Sequence, residues 1–97
     1  MEQLFAAIPS IIKALEANKD VTEALVFAAW HQVAGEHIKW RTKPLAFNNK
    51  RLVIAVEDET WRQNLGALAA QMIAKLNKSL GDGMVTFIEF RLRQPGP

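Results

Sequence analysis

The residues of this sequence best suited to chemistry are basic. Between His37 and Arg51 lie Lys39, Arg41, Lys43, Lys50 and Arg51, with no acid among them. Arg91 and Arg93 add two more near the C-terminal end. The ten acids lie elsewhere, so a net charge of only +2 conceals an uneven distribution. Clustered Lys and Arg attract polyanions, and each phosphate they neutralise releases counterions. Two aromatics sit within these basic stretches: Trp40 between Lys39 and Arg41, and Phe87 shortly before Arg91. An exposed aromatic in such company can stack on an unpaired base.

Other chemistries find little material. There is no cysteine, which excludes disulfides and thiolate metal sites and suits a reducing compartment. No Gly-x-Ser-x-Gly elbow and no Walker-type loop is present. Glu57, Asp58 and Glu59 are consecutive and read as a helix start, not as a positioned acid and base. His31 and His37 are six residues apart, which does not share a helix face, and neither has a second metal ligand nearby. The reading is a protein without catalytic activity, cofactor or metal. Met1-Glu2 opens no secretory signal, and no run approaches the ~20 apolar residues of a membrane span. The chain is expected to be soluble and cytoplasmic, with no membrane partner.

With 97 residues, 49% of them hydrophobic, the chain has the size and apolar content of one domain. That domain is expected over residues 1–93, with 94–97 as a short disordered tail. Leu4, Ile8, Ile11, Ile12 and Leu15 make an apolar stripe at helical spacing. A second helix is expected from Asp20, with Glu23 completing a capping box. Leu25 to Trp30 is apolar nearly all round, and Gly35 supplies a C-cap. A first strand is expected over Ile38 to Phe47, with Pro44 marking an edge or a bulge. Asn48-Asn49 supplies turn residues, and Leu52, Ile54 and Val56 face one side of a second strand.

A long helix follows, capped by Asp58 and Gly81, with the stripe Trp61, Leu65, Leu68, Met72, Leu76 and Leu80. A last strand is expected from Met84 to Arg93. Ile88 and Phe90 would face inward, joined by Thr86 and Leu92. The order α-α-β-β-α-β makes an α+β two-layer sandwich: a three-stranded, mainly antiparallel sheet with helices on one face.

Within this frame, alternation along the first strand would place Lys39, Arg41 and Lys43 on one sheet face, joined by Arg91 and Arg93. Lys50 and Arg51 would lie at the hairpin end. The plainer reading of such a strand is a solvated edge, which lysine protects from aggregation. Alternation points Trp40 to the opposite side, toward the helices, so burial is expected for it. Phe87 falls outward beside Arg91, either to stack on a base or to pack under a helix end. Trp30 and Trp61 fit helical stripes and read as core anchors.

Four pieces in this order resemble the DciA family. They are Trp30-His31-Gln32-Val33-Ala34-Gly35-Glu36; Thr42-Lys43-Pro44; Leu52-Val53-Ile54-Ala55-Val56 leading to Trp61 and Leu65; and Leu76-Asn77-Lys78-Ser79-Leu80-Gly81 followed by Ile88-Glu89-Phe90-Arg91. The resemblance runs from about Leu4 to Arg93. It implies a K-homology-like fold, DNA binding, and help in loading the replicative helicase DnaB. The chain departs from that pattern twice. It has no GxxG loop, with which K-homology modules grip the backbone, so side chains must hold the phosphates. Loaders of this family carry a flexible C-terminal tail that engages the helicase, whereas four residues follow Arg93, which sets binding ahead of loading.

The expected function is binding of DNA, single-stranded or at junctions, through Lys39, Arg41, Lys43, Lys50, Arg51, Arg91 and Arg93, with Trp40 and Phe87 as stacking residues. RNA binding is the alternative within that class. A protein-interaction adaptor without nucleic-acid contact is the alternative outside it. A monomer or weak dimer is expected.

Overall fold

The computed structural model describes residues 19–93. The stripe from Leu4 to Leu15 and the tail from Gln94 lie outside the described residues. The elements are α1 (Lys19–Lys39), β1 (Thr42–Asn48), β2 (Arg51–Val56), α2 (Glu59–Leu80) and β3 (Phe87–Leu92). The α+β class and the element order hold for all of these.

The sheet order is β1-β2-β3, with β2 in the centre. β1 pairs antiparallel with β2, and β3 pairs parallel with it. The sheet is therefore mixed, not mainly antiparallel as expected. The reason is α2, which at 22 residues carries the chain back along the sheet before β3 begins. A parallel neighbour requires such a crossover.

Both helices pack on one face of the sheet. Val26, Ala29, Trp30 and Ala34 of α1 meet Leu65, Met72, Leu76 and Leu80 of α2 over Phe47, Leu52, Ile54, Val56 and Ile88. Trp30 is fully buried, and its ring lies 6.2 Å from that of Phe90. Its Nε1–H donates to the Thr42 hydroxyl at 3.1 Å, which in turn donates to the Ile38 carbonyl at 3.0 Å. The buried polar atoms of this corner are thereby paired, as burial requires. Trp61 is only partly buried against the core, and Leu68, expected in the stripe, is exposed.

Gly35 has φ 78 and breaks α1, as its expected capping role required. The chain then makes one more helical turn, and the Arg41 N–H closes on the Ile38 carbonyl at 3.0 Å. That turn uses the backbone of Ile38, so the strand starts at Thr42 and not at Ile38. The capping box is also revised. α1 already includes Lys19, and the Glu23 carboxylate accepts from the Phe47 N–H of β1 at 3.1 Å. A helix side chain thus satisfies a donor on the edge strand.

Pro44 does mark both an edge and a bulge: the β1–β2 register shifts between Pro44 and Ala46. The hairpin turn is one residue later than expected. Asn49 and Lys50 have φ 51 and 65 and close the Asn48–Arg51 pair. Two consecutive left-handed residues are what a tight two-residue hairpin loop needs. Asp58 caps α2 as expected, accepting from the Trp61 N–H at 2.9 Å. Gly81 ends it, its N–H bonding to the Asn77 carbonyl at 2.7 Å. β3 starts at Phe87, because Met84 to Thr86 are held in a loop. There Asn77 clamps Val85, and the Thr86 N–H donates to the Lys50 carbonyl at 2.9 Å. Thr86 and Leu92, expected inward, are exposed.

Candidate nucleic-acid interface

Among the described residues neither helix covers the second face of the sheet. The register fixes what that face displays. Arg51, Val53 and Ala55 alternate with the core residues Leu52, Ile54 and Val56 along β2. Across from Ala55 stand Lys43 on one side and Arg91 on the other. Across from Val53 stand Ala46 and Glu89. Across from Arg51 stand Asn48 and Phe87.

Lys43, Leu45, Arg91, Leu92 and Arg93 enclose a shallow open cleft with Ala55 at its floor. Three cations thus surround an apolar floor made by Ala55, Leu45 and Leu92. Leu45 is the residue left unpaired by the β1 bulge, and it is exposed. At the other end of β2 the Arg51 guanidinium lies 5.0 Å from the centre of the Phe87 ring. Phe87 is 50% exposed, which decides its open reading in favour of a solvent-facing ring. The two ends are four residues apart along β2, roughly 13 Å at a strand's rise.

Glu89 lies between these ends. It accepts from Arg51 at 3.0 Å and also pairs with Arg91. The Arg91 hydrogen bond, foremost, holds its carboxyl below the usual glutamate range, with Arg51 contributing. The face, counting Lys50 at the hairpin tip, therefore carries five basic residues and one acid. No ion pair to another described residue is made by Lys43, Lys50 or Arg93.

The structure takes Lys39, Trp40 and Arg41 out of this group. They stand at the junction of α1 and β1, not on a strand. Lys39 pairs with Glu36 at 3.3 Å, and Arg41 pairs with Glu57 at 3.0 Å. The Arg41 guanidinium lies 5.5 Å from the centre of the Trp61 ring, which also meets His37. Trp40 is not buried as expected; it is 72% exposed. The alternation argument fails for it because residues 38–41 form a turn, where period-two logic does not apply. Its Nε1–H donates to Glu36 at 3.2 Å, and the Lys39 ammonium lies 5.4 Å from its ring centre. Sequence reasoning set Glu89 outward on the last strand, as the register has it, but did not single out Leu45 or Leu92 as lining the cleft. The parallel direction of β3, which sets Glu89 beside Val53 and Arg91 beside Ala55, has no local signal.

Among the described residues no three His, Cys, Asp or Glu gather closely enough to hold a metal ion. No described helix is long and apolar enough to cross a membrane.

The model of the family described as "Dna[CI] antecedent, DciA" matches residues 3–90. A UPF0232 protein of Rhodococcus jostii is 31% identical over 96 residues, covering 98% of this chain and 49% of the relative. A UPF0232 protein of Mycolicibacterium smegmatis is 30% identical over 88 residues, covering 90% of this chain and 45% of the relative. A UPF0232 protein of Mycobacterium leprae is 32% identical over 72 residues, covering 74% and 38%. The chain thus spans half or less of the length of these relatives. The match runs through α1, β1, β2, α2 and most of β3, and on it the chain belongs to the DciA family.

Proposed function

We propose that this chain binds DNA, single-stranded or branched, through the sheet face that neither described helix covers, and thereby helps bring the replicative helicase DnaB to DNA. The observation that carries the DNA part is the cluster of Lys43, Arg91 and Arg93 around an apolar floor, in line with the exposed Phe87 ring. Cations alone would suit any polyanion. Cations beside an apolar floor and an exposed ring suit a strand whose bases are free to leave the stack. A duplex hides its bases and offers chiefly phosphates. Lys50 and Arg51 extend the charge to the hairpin end. Glu89 lowers the affinity by occupying two arginines in the free protein. The helicase part rests on membership of the family.

Fluorescence anisotropy with a labelled single-stranded oligonucleotide, a matched duplex and a matched RNA tests the reading. Single-stranded DNA is expected to bind most tightly, with affinity falling steeply as salt rises. Absence of binding at low salt overturns it, and preference for the RNA replaces DNA with RNA. Capture of purified DnaB after nuclease treatment tests the second part.

A further inference from the structure

We infer that the outer edge of β3 is a self-association site, and that its occupant is β3 of a second copy of this chain, paired antiparallel about a two-fold axis at Phe90.

The two edges of the sheet differ. β1 is blunted: Pro44 lacks an N–H, the register shifts between Pro44 and Ala46, and the Glu23 carboxylate takes the Phe47 N–H at 3.1 Å. β3, at the other edge, has β2 on one side and no strand among the described residues on the other. Phe87–Leu92 holds no proline, and its register with β2 runs without a shift. A regular edge of this kind offers unpaired N–H and C=O groups to another strand. Beside it runs an open groove between Gly66 of α2 and residues Phe87 to Phe90. A Cβ placed on Gly66 would meet nothing within 4 Å, so the helix side leaves room for the side chains of an added strand.

The order of side chains along this edge selects the occupant. Antiparallel pairing about Phe90 sets each residue opposite the one equally far beyond the axis. Glu89 of each copy then stands opposite Arg91 of the other, Ile88 opposite Leu92, and Phe87 opposite Arg93, with the two Phe90 residues facing each other. Opposite charges and aromatic pairs directly across stabilise neighbouring strands, whereas like charges destabilise them. Moving the axis to Glu89 or to Arg91 sets like charges across from each other. In the single chain Arg51 holds Glu89 through Oε1 at 3.0 Å, and Oε2 pairs with Arg91 of the same strand. Pairing transfers Oε2 to Arg91 of the second copy and leaves the Arg51 bond in place. It also covers Phe87 and Leu92, which are 50% and 46% exposed in the single chain. The axis stands perpendicular to the sheet, so both basic faces lie on one side of a continuous sheet in the order β1-β2-β3-β3-β2-β1.

Sedimentation velocity on the full chain without DNA, from about 1 µM to about 1 mM, reads the association. Wild type is expected to shift from monomer to dimer as concentration rises. Glu89→Arg and Arg91→Glu each set like charges across the axis, and each alone is expected to dimerise about tenfold more weakly or worse. Mixed one to one, the two variants restore both opposite pairs, and the mixture is expected to dimerise as wild type does. Urea midpoints near that of wild type establish that the variants fold. A wild type that stays monomeric overturns the inference. So do variants that dimerise alone as strongly as wild type, and a mixture that stays monomeric. If a charge variant fails to fold, a mixture of Glu89→Cys and Arg91→Cys decides, in a chain with no cysteine of its own. On oxidation the mixed disulfide is expected in excess over either like pair, because only residues 89 and 91 stand close enough to bridge. Statistical pairing of the two cysteine variants overturns the inference.

Discussion

Asn77 holds Val85 with both ends of its side-chain amide: Nδ2–H donates to the Val85 carbonyl at 2.8 Å, and Oδ1 accepts from the Val85 N–H at 2.8 Å. The amide gives a loop residue the two bonds that a neighbouring strand would otherwise give. It also fixes where β3 begins, because Val85 is buried and Phe87 follows two residues later. Asn77→Ala leaves a backbone donor and acceptor of Val85 without partners. Each such loss costs about 1–3 kcal/mol. The expected outcome is a drop of that order in unfolding free energy, read as a lower midpoint in urea with an unchanged slope. Asn77→Asp restores only the acceptor and should fall between the two.

Glu89→Gln tests the electrostatics of the sheet face. The charge that opposes phosphate at the centre of this face is removed, and Arg51 and Arg91 are freed. Tighter binding of single-stranded DNA is expected, with a steeper fall of affinity as salt rises, because more phosphates are neutralised. Glu59→Gln, which frees Arg62 at the start of α2, serves as the control and should leave DNA affinity near wild type. Titrating salt for the three proteins in parallel reads both quantities.

Acid should destabilise the domain in a defined window. Three carboxyls lie below the ordinary glutamate value of 4.5: Glu36 through the Lys39 and then the Trp40 hydrogen bond, Glu59 through Arg62, and Glu89 through Arg91. A carboxyl lowered by folding contributes stability that is present above its unfolded value. That contribution is lost as pH falls through its folded value. Melting temperature should therefore hold steady above pH 4.5 and fall below it. All three groups are exposed, so each share is small and is reduced by salt. In Glu89→Gln the acid-induced fall should be shallower than in wild type.

The sequence was legible wherever one local rule decides the outcome. Asp58 and Gly81 were readable as the caps of α2 because capping depends on residues within one turn. Pro44 announced an edge and a bulge because it lacks an N–H. Trp30, Leu65, Met72, Leu76 and Leu80 were readable as core from helical spacing alone. Two things were not legible, and both are tertiary. The direction of β3 depends on how α2 lies across the sheet, and no residue of β3 encodes it. The boundary at Thr42 depends on Gly35, which breaks α1 but lets one more turn form. That turn carries Lys39, Trp40 and Arg41 off the strand. As a result the expected basic strand divides: Lys43 joins Arg91 and Arg93 on the sheet face, while Lys39 and Arg41 pair with acids at the junction.

The most direct test of the account is DNA affinity against salt for wild type and for Lys43/Arg91/Arg93→Ala. These three side chains surround the cleft over Ala55. All three are exposed, so the fold should survive their removal, and a matching urea midpoint would establish that. The account predicts weaker binding of single-stranded DNA at every salt concentration. It also predicts a plot of log affinity against log salt that is shallower by about 0.7 for each lost phosphate contact, hence about two units for three. A folded triple variant with the affinity and slope of wild type would contradict it.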